Sequence, residues 1–201
     1  MRLIRLRLTG QQHSALMRHL FPGDGLEAVA LALCGRRRGE DDEILMVRRV
    51  EPVPYEHCER GPAKVRWRTD VLRSLIEEAS MRSLGILKVH SHPNGGRRFS
   101  ALDDESDAEI LGAAFSWIDT EDPHASAIML PGGELYGRAM VAPGTFVPLS
   151  SIAVAGDDLL FWYPELVSDK VPEFARRHAQ LFGAGTTMRL RRFDKYSDIL
   201  L

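Results

Sequence analysis

The chain has 201 residues, 44% of them hydrophobic and 27% charged, which is enough apolar material for one soluble globular domain with a real core. Its two cysteines, Cys34 and Cys58, exclude a disulfide-rich scaffold and suit a reducing, bacterial cytoplasm. No apolar run approaches membrane-spanning length, and the formal net charge of -2 argues neither for nor against nucleic acid.

Residues 1–8 alternate apolar and basic side chains, the pattern of a half-buried edge strand, and Thr9-Gly10 ends it. Residues 11–20 carry Leu16, Met17 and Leu20 at helical spacing before Phe21-Pro22-Gly23 stops the helix. Residues 26–35 are almost wholly apolar and predict a buried central strand. Glu27 stands at the mouth of that strand, where an acid is costly unless it is solvated or partnered. A strand-end glutamate facing solvent is the plain alternative, and Glu43, Glu51 and Glu56 are other acids in more polar settings.

Residues 36–42 form a charged turn leading into a return strand over 43–50. Three prolines and a glycine predict irregular chain over 51–64, with a short strand at 65–68. Trp67 in that strand is read as core or as the wall of a groove. The adjacent His57 and Cys58 lack a second pair and make a weak metal signal. A helix follows from Thr69-Asp70 to about residue 83, with Leu72, Leu75, Ile76 and Ala79 on its apolar stripe.

The next stretch carries the chemistry. The apolar run 85–89 leads to His90-Ser91-His92, and on a strand residues two apart point to the same side. Pro93, Gly95 and Gly96 make a turn, Ser100 follows His92 by eight positions, and Asp103 comes three later. Two neutral imidazoles and one carboxylate are a catalytic zinc set, with the fourth position left to water. A structural zinc site would be closed by cysteines, and none lies nearby. Ser100 and Asp103 also fit an N-cap and an acidic first turn, and both readings hold together. Asp104 and Asp107 then read as partners of the helix dipole rather than ligands, while Ile110, Leu111, Ala114, Phe115 and Ile118 supply the buried face.

Residues 124–130 and 134–141 read as a hairpin around Pro131-Gly132-Gly133, with further strands over 145–154. The predicted class is mixed α/β, a mixed sheet flanked by helices. Residues 171–201 hold six Lys or Arg against three Asp or Glu, net +3, so the preceding 170 carry 20 against 25, net -5. Residues 173–182 predict a short amphipathic helix in that basic tail. Two units are expected, a main domain over 1–165 and a docking or linker segment over 166–201.

The spacing of His90, His92, Ser100 and Asp103 resembles the core motif of the JAMM (MPN+, JAB-domain) zinc metallopeptidases, and the resemblance covers roughly residues 1–165. It implies an MPN domain with a cytidine deaminase-like sheet, Zn2+ held by His90, His92 and Asp103, a catalytic Glu27, and Ser100 as oxyanion donor. It further implies a deubiquitinase-like isopeptidase or processing peptidase. The expected substrate is a ubiquitin-like protein, within a bacterial conjugation operon of E1-like and E2-like enzymes associated with antiviral defence. The alternatives are a peptidase acting on a sulfur-carrier protein and a non-catalytic MPN scaffold. Membrane and nucleic acid are not expected partners. Phe99 replaces a proline common in the family, which with Arg97 and Arg98 bears on substrate fit rather than metal binding.

Overall fold

The computed structural model describes residues 3–68, 70–118, 122–157, 159–162 and 188–190. The elements run β1 (Leu3–Thr9), α1 (Gly10–Leu20), β2 (Val29–Arg38), β3 (Asp42–Pro52), a 3-10 turn (Tyr55–His57), β4 (Cys58–Gly61) and β5 (Lys64–Trp67). They continue α2 (Asp70–Arg82), β6 (Gly85–Ser91), α3 (Ala101–Ile118), β7 (His124–Met129) and β8 (Leu135–Ala142). β9 (Thr145–Pro148), β10 (Ser151–Ala155), β11 (Leu159–Trp162) and β12 (Met188–Leu190) complete the described chain. Ten strands form one mixed sheet in the order β12-β11-β10-β1-β3-β2-β6-β7-β8-β9, and β4 pairs with β5 in a separate hairpin.

The helices cover the sheet from two sides because the strand alternation demands it. Ala28, Ala30 and Ala32 pack with Leu87, Val89 and the α1 residues Leu16 and Leu20. Val29, Leu31 and Leu33 point the other way, to Leu72, Leu75 and Ile76 of α2 and Leu111, Ala114 and Phe115 of α3. β2 and β6 are therefore buried on both faces over most of their length, as central strands must be.

Local sequence explains the helix ends. Thr9 caps α1 through a reciprocal pair in which Gln12 N–H donates to Thr9 Oγ1 and Thr9 N–H to Gln12 Oε1. At the end of α2, Ser83 takes a left-handed φ of 51° and Leu84 N–H donates back to Ala79 O, the six-to-one bond of a Schellman turn. Gly137 sits at a close approach: a Cβ there would lie 2.5 Å from Leu149 Cδ1 and 3.3 Å from Ile152 Cδ1. The missing side chain lets the β8 end of the sheet meet β10.

Two expectations change. β1 is interior, not an edge, because β10 returns parallel beside it and β3 flanks it on the other side; alternation survives since Leu6 and Leu8 are buried while Arg5 and Arg7 are half-buried. The stretch 51–64 is less irregular than its prolines suggest: Pro52 ends β3, Pro54 precedes the 3-10 turn and Pro62 lies in the turn between β4 and β5. Of the two readings of Trp67, the core one holds, since it packs against the α2/α3 core. The helix expected over 173–182 lies outside the described residues; of the tail, Met188–Leu190 is described as a strand on β11. Among the described residues no helix is long and apolar enough to cross a membrane.

Candidate metal centre

β6 delivers the histidines. Its whole length is buried between β2 and β7, with His90 beside Val29 on one side and Ile128 on the other. His90 points to the α3 face, as Ile86 and Lys88 do. Ser91 points to the other face, where its backbone and hydroxyl bind Ala28: Ala28 N–H donates to Ser91 Oγ at 2.9 Å and Ser91 N–H to Ala28 O at 3.0 Å. His92 leaves the strand after one last bond, its N–H to Met129 O. Its ring is fixed by Nδ1–H donating to Gly96 O at 2.8 Å, so Nε2 presents a lone pair to the site.

α3 brings the carboxylate. Ser100 is its cap, accepting from Asp103 N–H at 3.2 Å while its own N–H and hydroxyl both donate to Asp103 Oδ2 at 2.7 Å. The other oxygen, Oδ1, lies 2.9 Å from His90 Nε2. His90 Nε2 and His92 Nε2 are 3.1 Å apart, and His92 Nε2 is 3.6 Å from Asp103 Oδ2. One ligand atom from each of these residues lies within 4.8 Å of the others.

Those spacings suit a cation. Tetrahedral bonds of about 2.0–2.1 Å put ligand atoms roughly 3.3 Å apart, and the three distances bracket that edge. The chemistry agrees, because two ring nitrogens and a carboxylate oxygen converge with few protons among them. The donors fit a divalent ion held by His90, His92 and Asp103.

Glu27 faces the same space. It is 4% exposed, and Oε1 is 4.0 Å from His92 Nε2. The solvent-facing alternative is thereby excluded. Its backbone is pinned from β4, where Glu27 N–H donates to Gly61 O and Arg60 Nε donates to Glu27 O at 2.8 Å. Burial raises its carboxyl to about 7; His92 opposes the rise, the Asp103 charge adds to it and Lys88 opposes it.

With this geometry, the sequence profile of prokaryotic homologues of the JAB domain matches residues 10–141. The chain belongs to that family. No curated protein matches. Among solved structures, the solution structure of protein DSY2949 from Desulfitobacterium hafniense aligns at 18% identity and a TM-score of 0.45, over 75% of this chain and 93% of that one.

The electrostatics of this JAB domain sort its site residues. Burial acts to raise the Asp103 carboxyl, but His90, His92 and Ser100 overcome it and hold the group well below the usual carboxylate range. Burial lowers His90, more than Asp103 restores. His92 is raised: burial acts against it, and Asp103, the Gly96 carbonyl and Glu27 prevail.

Four neighbours escaped the sequence reading. Ser91 and Arg60 hold the backbone around Glu27, binding Ala28 and the Glu27 carbonyl. Lys88 is buried at 2%, donating to Ser106 Oγ at 3.0 Å and Asp107 Oδ1 at 2.8 Å. Arg138, from β8, donates to Asp107 Oδ2 through Nη2 at 2.7 Å and also pairs with Asp104. Asp104 and Asp107 are thus ion-paired as well as placed at the helix start. A lysine in a buried strand, two positions before the first histidine, was the legible hint.

Proposed function

We propose that this JAB domain is a zinc-dependent peptidase that cleaves the amide bond after the C-terminal tail of a ubiquitin-like protein, in deconjugation or precursor trimming. The observation that carries this reading is the buried Glu27 carboxyl, pushed to about 7, standing 4.0 Å from a ligand nitrogen of a two-histidine, one-aspartate donor set. Family membership supports it, since JAMM peptidases belong to the same domain family. Imidazole ligands favour zinc over magnesium or calcium, which prefer all-oxygen sites.

Zinc at this site would supply a Lewis acid for the scissile carbonyl and a nucleophilic water at neutral pH. The protein's own groups do the rest. With a pKa near neutrality, Glu27 can take a proton on its carboxylate and return it to the departing amine, the lysine Nζ of an isopeptide. Ser100 is exposed to the substrate side and would swing its hydroxyl from Asp103 Oδ2 to the developing oxyanion. The β4–β5 hairpin, tied to Glu27 through Gly61 and Arg60, offers strand edges along which an extended tail can lie.

The test is cleavage of a ubiquitin-like protein encoded beside this gene and fused through its tail to a reporter. The zinc-loaded protein should release the reporter. Glu27→Gln, which retains zinc, and a chelator-treated sample should not. A zinc-loaded protein that binds that partner tightly and cuts nothing would overturn the reading in favour of a scaffold.

A further inference from the structure

We infer that the cleft on the far side of the metal cluster from the β4–β5 hairpin is a recognition subsite for a substrate segment in which an apolar side chain adjoins a carboxylate. Naming a substrate as occupant rests on the peptidase reading; the chemistry of the cleft does not.

The cleft has a volume of about 440 Å³ and lies between the loop carrying Arg97, Arg98 and Phe99 and the strands β8 and β9. That is the size range of sites that bury a ligand. Its floor is core: Leu135, Leu149, Ile152 and Trp162 are each 5% exposed or less. Phe99 and Phe146 form its walls, with the Arg138 guanidinium 3.9 Å and 4.4 Å from their ring centres. The Phe99 ring centre is 6.2 Å from that of His90, so the cleft begins one ring away from the metal ligands. A chain crossing the cluster from the hairpin would run into it.

Charge selects what enters. Arg138 is committed to Asp104 and Asp107. Arg97 lies 3.5 Å from Glu134 and over the Tyr136 ring. Arg98 is exposed on the lip and has no acidic partner among the described residues. Among the described residues, counting Lys88 with the three arginines against Asp104, Asp107 and Glu134 leaves one cation in excess, and Arg98 is the one without a carboxylate. An exposed guanidinium at the edge of an apolar wall favours a carboxylate by a modest margin and repels lysine. The cleft therefore favours an acidic aromatic or aliphatic segment and disfavours a basic one.

The test uses the full chain carrying Glu27→Gln, so that nothing is cut, and anisotropy of fluorescein-labelled peptides Gly-Phe-Glu-Gly, Gly-Phe-Lys-Gly and Gly-Ala-Glu-Gly. The Phe-Glu peptide should bind roughly tenfold more tightly than either of the others. Arg98→Glu should reverse the preference between glutamate and lysine. Val147→Trp, which fills the cleft, should weaken the Phe-Glu peptide about tenfold with the metal content unchanged. Arg37→Glu, at the exposed end of β2, should change nothing. Equal binding of the three peptides, no binding up to about 1 mM, or equal losses from Arg98→Glu and Arg37→Glu would overturn the inference. If preferential binding holds while the native zinc-loaded protein cuts no reporter, the peptidase reading falls and the subsite stands. Cleavage without any peptide preference removes the subsite alone.

Discussion

Two carboxylates of α3, one helical turn apart, meet two residues of β6 that are two positions apart, and they end in opposite electrostatic states. Asp107 faces Lys88 and Arg138, so its charge is answered by cations built into the chain. Asp103 faces His90 and His92, which carry no fixed charge, and takes the N–H and hydroxyl of Ser100 on Oδ2. The same strand–helix frame thus makes a self-sufficient ion pair at one level and a site short of positive charge at the next.

Breaking each level should have distinct consequences, the largest at the metal level. Asp103→Asn should lower zinc affinity on the order of 100-fold, read by chelator competition. Turnover should fall with it. Because Ser100 and the two imidazoles hold the Asp103 carboxylate in the metal-free protein, its melting temperature at neutral pH should fall as well. A variant that keeps native zinc affinity would remove Asp103 from the ligand set.

Asp107→Asn should do the reverse. It leaves Lys88 and Arg138 without their shared carboxylate, and the cost of an uncompensated buried charge is about 3–5 kcal/mol, measured by denaturant titration. Zinc affinity of the folded fraction should change far less than in Asp103→Asn. Equal zinc losses in the two variants would erase the distinction between the levels.

A third effect is read by pH, away from the metal. His124, on β7, accepts a bond from Ile86 N–H through Nδ1, and burial together with the Arg36 charge lowers it to about 3. The unfolded chain protonates this histidine near 6.5, so between those values the unfolded state binds the extra proton and stability falls as the pH falls. At pH 5 the loss is about 2 kcal/mol. His124→Asn keeps an acceptor for Ile86 and should flatten this acid limb in a stability–pH profile. An unchanged limb would assign it to other groups. The smallest effect is at Ser83, whose φ of 51° costs a side chain up to about 1 kcal/mol. Ser83→Gly should raise the unfolding midpoint slightly, without altering zinc binding.

Particular residues show how far the sequence could be read. The period-two placement of His90 and His92, the cap at Ser100 and the acid at Asp103 are local features, and all came together as the spacing implied. Glu27 was legible from its place at the start of an apolar strand, since burial at that mouth follows from the strand itself. β1 was misplaced because alternation reports one buried face and says nothing about whether both edges are paired. β5 was read as a short strand over 65–68, but its partner β4 was missed because the nearby prolines fall at element ends and in the turn, positions a composition argument cannot distinguish from loop.

The sequence by itself determined the donor types, their strand and helix settings, the two-faced central strands and the family, because each depends on spacing along the chain. Tertiary structure alone decided that Lys88 and Arg138 share Asp107, that Arg60 and Ser91 hold the backbone around Glu27, and that a cleft opens beside Phe99. Those contacts join residues 19 to 63 positions apart in sequence. Their pairing is set by strand order and helix docking, which no local periodicity encodes.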